Sequence, residues 1–326
     1  MQPFSYYRAR SAEDAVAALA QGGRALAGGT TLYDLMKLDV EQPQRLVDIS
    51  RLPLRDIRAT DDMLILGASV RMSEAAEHEN LRSEFPALSE ALWRAASQQL
   101  RNMATLGGNL LQRTRCSYFR HGAPYACNKR EPGSGCAAQE GLSRSHALFG
   151  GSDHCIAVYP GDFAVALTAF DAQVEIVGPS GSRNMPLADL HREPGSEPHR
   201  ETSLESNELI TAIRVPRVRA ARASTYHKIR DRESYAFALV SAAVGLDMEA
   251  EVVRDARISL GGVATRPWRA KEAEGLLIGR RFTDAAALEA GVAAFAGANT
   301  TRHNAFKTEL GARVVADALM IAQTRI

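Results

Sequence analysis

The chain has 326 residues, 39 Lys and Arg against 38 Asp and Glu, and a formal net charge of +1. It is too long for one ordinary core and calls for two or three compact units, while its near-neutral balance argues against a nucleic-acid or anionic-membrane partner. Hydrophobic residues make up 45% and charged residues 24%, a globular composition; no apolar run reaches the ~18 residues of a membrane span, and the start of the chain lacks the basic and apolar regions of a secretory signal.

Taken in chain order, Ala12 to Leu19 has a helix pattern with Ser11 as N-cap. A short strand from Arg24 to Ala27 runs into Gly28-Gly29-Thr30-Thr31, and a second helix pattern covers Leu32 to Leu38. Arg45 to Ile49 and Met63 to Ala68 read as strands. Ala87 to Ala96 reads as a helix leading to a second glycine loop, Thr105-Leu106-Gly107-Gly108-Asn109. Residues 113 to 159 carry Arg, Gly, Pro, Ser and Cys with little periodicity, and a stretch this long without its own structure needs something to hold it. Phe163 to Phe170 is apolar enough for a buried helix, Gln173 to Val177 reads as a strand, and His191 to Asn207 reads as a polar surface loop. Glu208 to Val215 is a strand ended by Pro216, followed by a basic, Ala-rich linker from Arg217 to Ala223. Strand patterns at Thr225 to Ile229, Phe237 to Met248 and Ala256 to Val263 precede helices at Ala270 to Leu277, Ala285 to Ala296 and Thr308 to Ala322. Strands followed by helices imply an α+β unit.

Several groups can carry chemistry. Each glycine loop lets backbone N–H groups approach an anion such as a pyrophosphate, and the first also precedes a helix N-terminus. Neither is a GxGxxG or Walker A sequence, so a Rossmann or P-loop reading lacks support. Asp162 in Pro160-Gly161-Asp162 can accept from a ribityl or ribose hydroxyl, and it can equally be the N-cap of the helix that follows. Lys228 can stabilise a reduced flavin, and it can equally be a solvated strand residue.

All four cysteines, Cys116, Cys127, Cys136 and Cys155, fall in the irregular segment with spacing Cys-x10-Cys-x8-Cys-x18-Cys. Random placement rarely does this. The Cys-x2–4-Cys knuckle of structural zinc sites is absent, but zinc, disulfides and an iron–sulfur cluster all remain open on spacing alone. Arg113, Arg115, Arg120, Lys129, Arg130 and Arg144 share the segment with only Glu131, Glu140 and Asp153, and this surplus of cations suits an anionic thiolate-ligated cluster. His121, His146 and His154 are possible substitute ligands.

In order, Ala27-Gly-Gly-Thr-Thr31, Ala104-Thr-Leu-Gly-Gly-Asn-Leu110, Pro-Gly-Asp162, Glu208-Leu-Ile-Thr-Ala-Ile-Arg-Val-Pro216 and Lys228 resemble the FAD-binding subunits of the xanthine dehydrogenase and carbon monoxide dehydrogenase family, the molybdenum hydroxylases. The resemblance covers nearly the whole chain. It implies a two-part FAD-binding domain of the vanillyl-alcohol-oxidase (PCMH) type over 1–218 and a C-terminal α+β domain of the CO dehydrogenase flavoprotein type over 223–326. It implies FAD contacts at Leu26, Ala27, Gly28, Gly29, Thr30, Thr31, Leu32, Thr105, Gly108, Asn109, Asp162, Ile210 and Lys228. In most of the family Gly-Gly-Asn-Leu is followed closely by the Pro-x-Asp motif; here residues 112–159 intervene. The insertion is similar to that of periplasmic aldehyde oxidoreductase FAD subunits, which implies one [4Fe–4S] cluster on Cys116, Cys127, Cys136 and Cys155.

The resemblance further implies a heterotrimer with a [2Fe–2S] subunit and a molybdenum-cofactor subunit, an aldehyde substrate oxidised at molybdenum, and an external electron acceptor. It implies a periplasmic location by co-export on a partner's signal, against a cytoplasmic one on this chain's own N-terminus. The rival readings are a redox-sensing or assembly protein built on an iron–sulfur or zinc site, and a stand-alone flavin oxidase.

Overall fold

The computed structural model describes residues 1–121 and 124–326; Gly122 and Ala123, inside the cysteine-bearing insertion, lie outside the described residues. Strands β1 (Ser5–Arg8), β2 (Arg24–Leu26) and β3 (Arg45–Asp48) form a parallel sheet in the order β1-β3-β2. The helix Ala12–Ala20 connects the first two, and the Ser11 hydroxyl accepts from the Asp14 N–H at 3.1 Å, as its N-cap position requires. Ala15, Val16 and Leu19 of that helix share a small core with Val47 and with Leu209 from far along the chain.

Strands β4 (Ile57–Ala59), β5 (Met63–Gly67), β6 (Gln173–Gly178), β7 (Gly181–Pro186) and β8 (Leu209–Pro216) make an antiparallel sheet in the order β4-β5-β8-β6-β7. The central strand, β8, is buried at five consecutive residues from Leu209 to Ile213, which fits a run that is apolar apart from Thr211. The third sheet is antiparallel, β12-β11-β10-β9, from β9 (Ala223–Ile229), β10 (Val240–Glu249), β11 (Val252–Gly261) and β12 (Trp268–Arg269). Helices Lys271–Leu277, Asp284–Ala293 and Phe306–Gln323 contribute to a second core with this sheet, built around Val244, Ile258, Leu260, Val315 and Leu319. The mixed helix-and-sheet class is the expected one.

The helix Phe163–Ala169 is buried at every residue and packs against β10 and β11. It belongs to the main core with Leu66, Ile213 and Phe170, and Tyr226 and Ala243 of the C-terminal sheet belong to that core too. The two units therefore share apolar interior. For the same reason the expected linker at Arg217 to Ala223 is not a loose one. Arg219–Ala221 form a 3-10 turn with Ala220 and Ala221 fully enclosed.

The short helices Met72–Glu77 and Glu79–Glu84 are too brief to show a period in the sequence and are separated by the extended His78. Residues 113 to 159 carry fastenings of their own: a helical turn at Ser117–Arg120, bridges pairing Cys127 with Cys136 and Ser152 with Cys155, and buried Phe119, Leu148 and Phe149.

The polar stretch after His191 is likewise not all surface. His191 is buried, with Nε2 2.9 Å from Leu110 O, and burial holds it down to about 4. Its folded value lies below the ordinary one of about 6.5, so the unfolded chain binds the proton first as pH falls. Its contribution is complete above pH about 6.5 and is lost towards pH 4, at about 1.4 kcal/mol per pH unit. Urea unfolding of the protein and of His191→Gln between pH 7.5 and 5 checks this: the variant should lose that part of the pH dependence, and parallel curves would refute it.

Candidate functional site

The first glycine loop leaves β2 at Leu26 and enters the helix Leu32–Lys37. A Cβ on Gly28 would overlap the Met103 carbonyl, so glycine is needed there for the two loops to touch. Gly29 adopts a φ of +74°, a second backbone reason for glycine. Among the described residues, no N–H from Gly28 through Thr31 donates a hydrogen bond. These four consecutive half-buried residues leave donors available to an anion.

The second loop works differently. The Leu106 N–H donates to Val70 O and the Gly107 N–H to Ala68 O, while the Gly108 N–H donates to the Thr105 hydroxyl at 3.3 Å. Its backbone donors from Leu106 to Asn109 are engaged within the protein, so the two loops differ in what they can offer an anion. What the second loop offers is the exposed Gly108 and the Asn109 amide, whose buried Oδ1 has no partner among the described residues. Gly107 packs against Ala68, whose N–H donates to Thr211 O, so the neighbour of Ile210 touches the same corner. Ile210 itself is only 3% exposed and lies in the main core.

Asp162 and Lys228 meet in the interior. Lys228 Nζ lies 2.8 Å from Asp162 Oδ2 and donates also to Arg94 O at 3.1 Å. The Tyr226 hydroxyl is 2.5 Å from Asp162 Oδ1 and 2.9 Å from Ser241 Oγ. A carboxylate only accepts, so Tyr226 gives its one proton to Asp162. Burial and the Asp162 charge push the Tyr226 phenol well above its ordinary value. Asp162 stands at the N-cap position of Phe163–Ala169 but makes no cap bond, and Lys228 is not a solvated residue. Tyr226 escaped the sequence reading because a Tyr two residues before a Lys on a strand carries no signal of a partner sixty residues away.

The four cysteines are all unpaired thiols, and Cys127 and Cys155 are buried. Burial, with Cys127 and Cys155 nearby, pushes Cys116 up to about 12; burial also raises Cys155 to about 11, with Cys136 and Cys127 adding to it and Lys129 opposing it. Among the described residues, no three His, Cys, Asp or Glu side chains are arranged to grip a single metal ion. His146 Nε2 lies 3.2 Å from Cys116 Sγ, and its Nδ1 is buried without a partner.

The expected surplus of positive charge is largely neutralised. Arg113 pairs with Glu41 and Glu201, Lys129 with Glu201, Arg115 and Arg120 both with Asp34, and Arg144 with Asp231. Arg130 donates to the carbonyls of Tyr118 and Phe119. Asp34 sits on the helix that follows the first glycine loop, so Arg115 and Arg120 bolt the Cys116 turn onto that helix. Leu35 of the same helix packs with Phe119 and Cys127. A cavity of about 180 Å3 lies between Cys116, His146, Tyr159, Asp162, Phe237 and Ser241, so the cysteine site and the Asp162 cluster open onto one space.

Residues 2–218 match the family described as the FAD binding domain in molybdopterin dehydrogenase, and residues 224–321 match the CO dehydrogenase flavoprotein C-terminal domain. The chain is similar to the aldehyde oxidoreductase FAD-binding subunit PaoB of Escherichia coli (strain K12), 44% identical over 334 residues that cover 100% of each. It is similar to the carbon monoxide dehydrogenase medium chain of Hydrogenophaga pseudoflava, 29% identical over 99% of this chain and 98% of that one. Its fold is similar to that of a chain of the reconstituted CO dehydrogenase from Oligotropha carboxidovorans, with a TM-score of 0.78, 25% identity and 100% coverage of both.

Asp162→Asn leaves the buried Lys228 ammonium facing a neutral amide. Removing one partner of such a pair costs about 3–5 kcal/mol. Urea unfolding should show that loss, and the double variant Asp162→Asn with Lys228→Met should recover part of it. Simple additivity of the two single variants would mean that the pair is not coupled.

Proposed function

The chain belongs to the family of FAD-binding subunits of the molybdenum hydroxylases, and from that premise we propose that it is the FAD and [4Fe–4S] subunit of a heterotrimeric aldehyde oxidoreductase. Its partners in this reading are a [2Fe–2S] subunit and a molybdenum-cofactor subunit that oxidises the aldehyde. This chain then passes the electrons to an external acceptor. The observation that carries the reading is the coupling of the two sites: one carboxylate, Asp34, ties the helix of the first glycine loop to the arginines on both sides of Cys116.

The donor chemistry of the residues supports this reading for both groups. The four free N–H groups of Gly28 to Thr31 would take the diphosphate oxygens of FAD, and glycine keeps that surface clear of side chains. The orphan Asn109 Oδ1 offers an acceptor to a hydroxyl or N–H of the same ligand. Asp162 and Lys228 would supply charge near the flavin, with Tyr226, itself bonded to Ser241, holding the carboxylate in place. Bound FAD supplies the step between paired and single electrons. Cys116, Cys127, Cys136 and Cys155 give the four-thiolate donor set of a [4Fe–4S] cluster. Because burial keeps Cys116 and Cys155 protonated, ligation there would release protons.

The test is metal and flavin analysis of the complex purified with its partner subunits. Cys127→Ser should remove about four irons and about four acid-labile sulfides per complex and leave molybdenum and FAD in place. Asn109→Ala should lower FAD occupancy severalfold and leave iron in place. Unchanged iron in the cysteine variant, or stoichiometric zinc in the unaltered complex, would sink the cluster reading; full flavin in the asparagine variant would remove Asn109 from the FAD site.

A further inference from the structure

The cations of the cysteine segment are engaged by carboxylates or, for Arg130, by carbonyls. The positive charge that remains buried beside the segment comes from elsewhere. Lys307, on the helix Phe306–Gln323, is 0% exposed, and its Nζ donates to His146 O at 3.2 Å and Gly262 O at 2.8 Å. No carboxylate among the described residues lies within ion-pair distance of it. The acidic group nearest in its field, Asp231, is held by both Nη atoms of Arg144.

The Lys307 contact to His146 leads to the cysteine site. Asn304, also fully buried, donates to His146 O and Ala147 O, so two side chains of one turn fix the His146 peptide. The His146 ring then reaches Cys116 Sγ at 3.2 Å. Two neutral carbonyls do not balance an enclosed ammonium, which is costly without an anion. Burial, with Arg144 nearby, pushes Lys307 down to about 8, which still leaves it mostly charged at neutral pH. The four-thiolate site next to it becomes anionic when it holds a cluster.

We propose that Lys307 is the buried counter-cation of the four-cysteine site, a positioning residue that fixes the His146 wall behind Cys116 and raises the reduction potential of a cluster bound there. This rests on the cluster reading above. Reduction adds one electron and one negative charge to the site, and a fixed cation stabilises that form over the oxidised one.

The experiment uses the whole complex and an EPR-monitored redox titration of its [4Fe–4S] signal, with iron content and thermal melting alongside. Lys307→Gln keeps a hydrogen-bond donor and removes the charge; Lys307→Arg keeps the charge. We expect Lys307→Gln to retain iron and to lower the potential so that the reduced-to-oxidised ratio falls about tenfold at fixed ambient potential, a shift of about 59 mV for one electron. We expect Lys307→Arg to stay within about twofold of the unaltered ratio, about 18 mV by the same relation. If Lys307→Gln loses the cluster, an iron-replete Lys307→Arg with an unaltered potential still supports the assignment, and loss in both overturns it. A cluster of unchanged potential in Lys307→Gln, or an equal shift in both variants, overturns the role of Lys307 and leaves the cluster reading standing. An unaltered complex without the [4Fe–4S] signal overturns both.

Discussion

The buried ion pair of Asp162 and Lys228 is the joint on which the rest of the structure depends. Asp162 starts the helix Phe163–Ala169, which lies wholly inside, and Lys228 belongs to β9 of the C-terminal sheet. An enclosed ammonium and an enclosed carboxylate tolerate each other only at close range with their other bonds met, and here Arg94 O accepts from Lys228 and Tyr226, itself bonded to Ser241, donates to Asp162. That requirement holds the two units in one relative position and explains why Tyr226 and Ala243 fall in the main core. It also sets the cavity wall that Asp162 shares with Cys116.

A second constraint acts on the cysteine insertion. A segment with few periodic apolar positions cannot order itself through a core of its own. It borrows order from its surroundings: Asp34, Glu41, Glu201 and Asp231 each hold one or more of its cations, and Asn304 and Lys307 hold its backbone at His146. The segment that carries the four thiols is fastened by contacts to separate parts of the chain. A redox group there would sense movement in either unit, and the shared Asp34 links it to the loop offered to the flavin diphosphate.

The glycine loops show how one motif can serve two purposes. Gly28 is required by the neighbouring Met103 backbone and Gly29 by its positive φ, so each has a structural cause before any ligand is considered. The functional content of the first loop is the run of unused N–H groups that these glycines expose. The second loop uses its donors internally and contributes side chains and an open face instead.

By itself the sequence determined what depends on local pattern and motif order. The capped helix at Ala12, the fully apolar helix at Phe163, the run of β8 and the three C-terminal helices follow from periodicity and capping over a few residues. The confinement of all four cysteines to one segment and the ordered loops identified the family before any contact was known. Only the tertiary structure decided what depends on partners far apart in the chain. Counting charges within residues 113 to 159 suggested a free cationic surround, because the carboxylates that neutralise it lie at positions 34, 41, 201 and 231. On pattern alone Lys228 could be a solvated strand residue, and Lys307 stood just outside the helix expected from Thr308, yet both are enclosed. Burial and charge pairing are set by which surfaces meet in three dimensions, and no local window of sequence contains both sides of such a meeting.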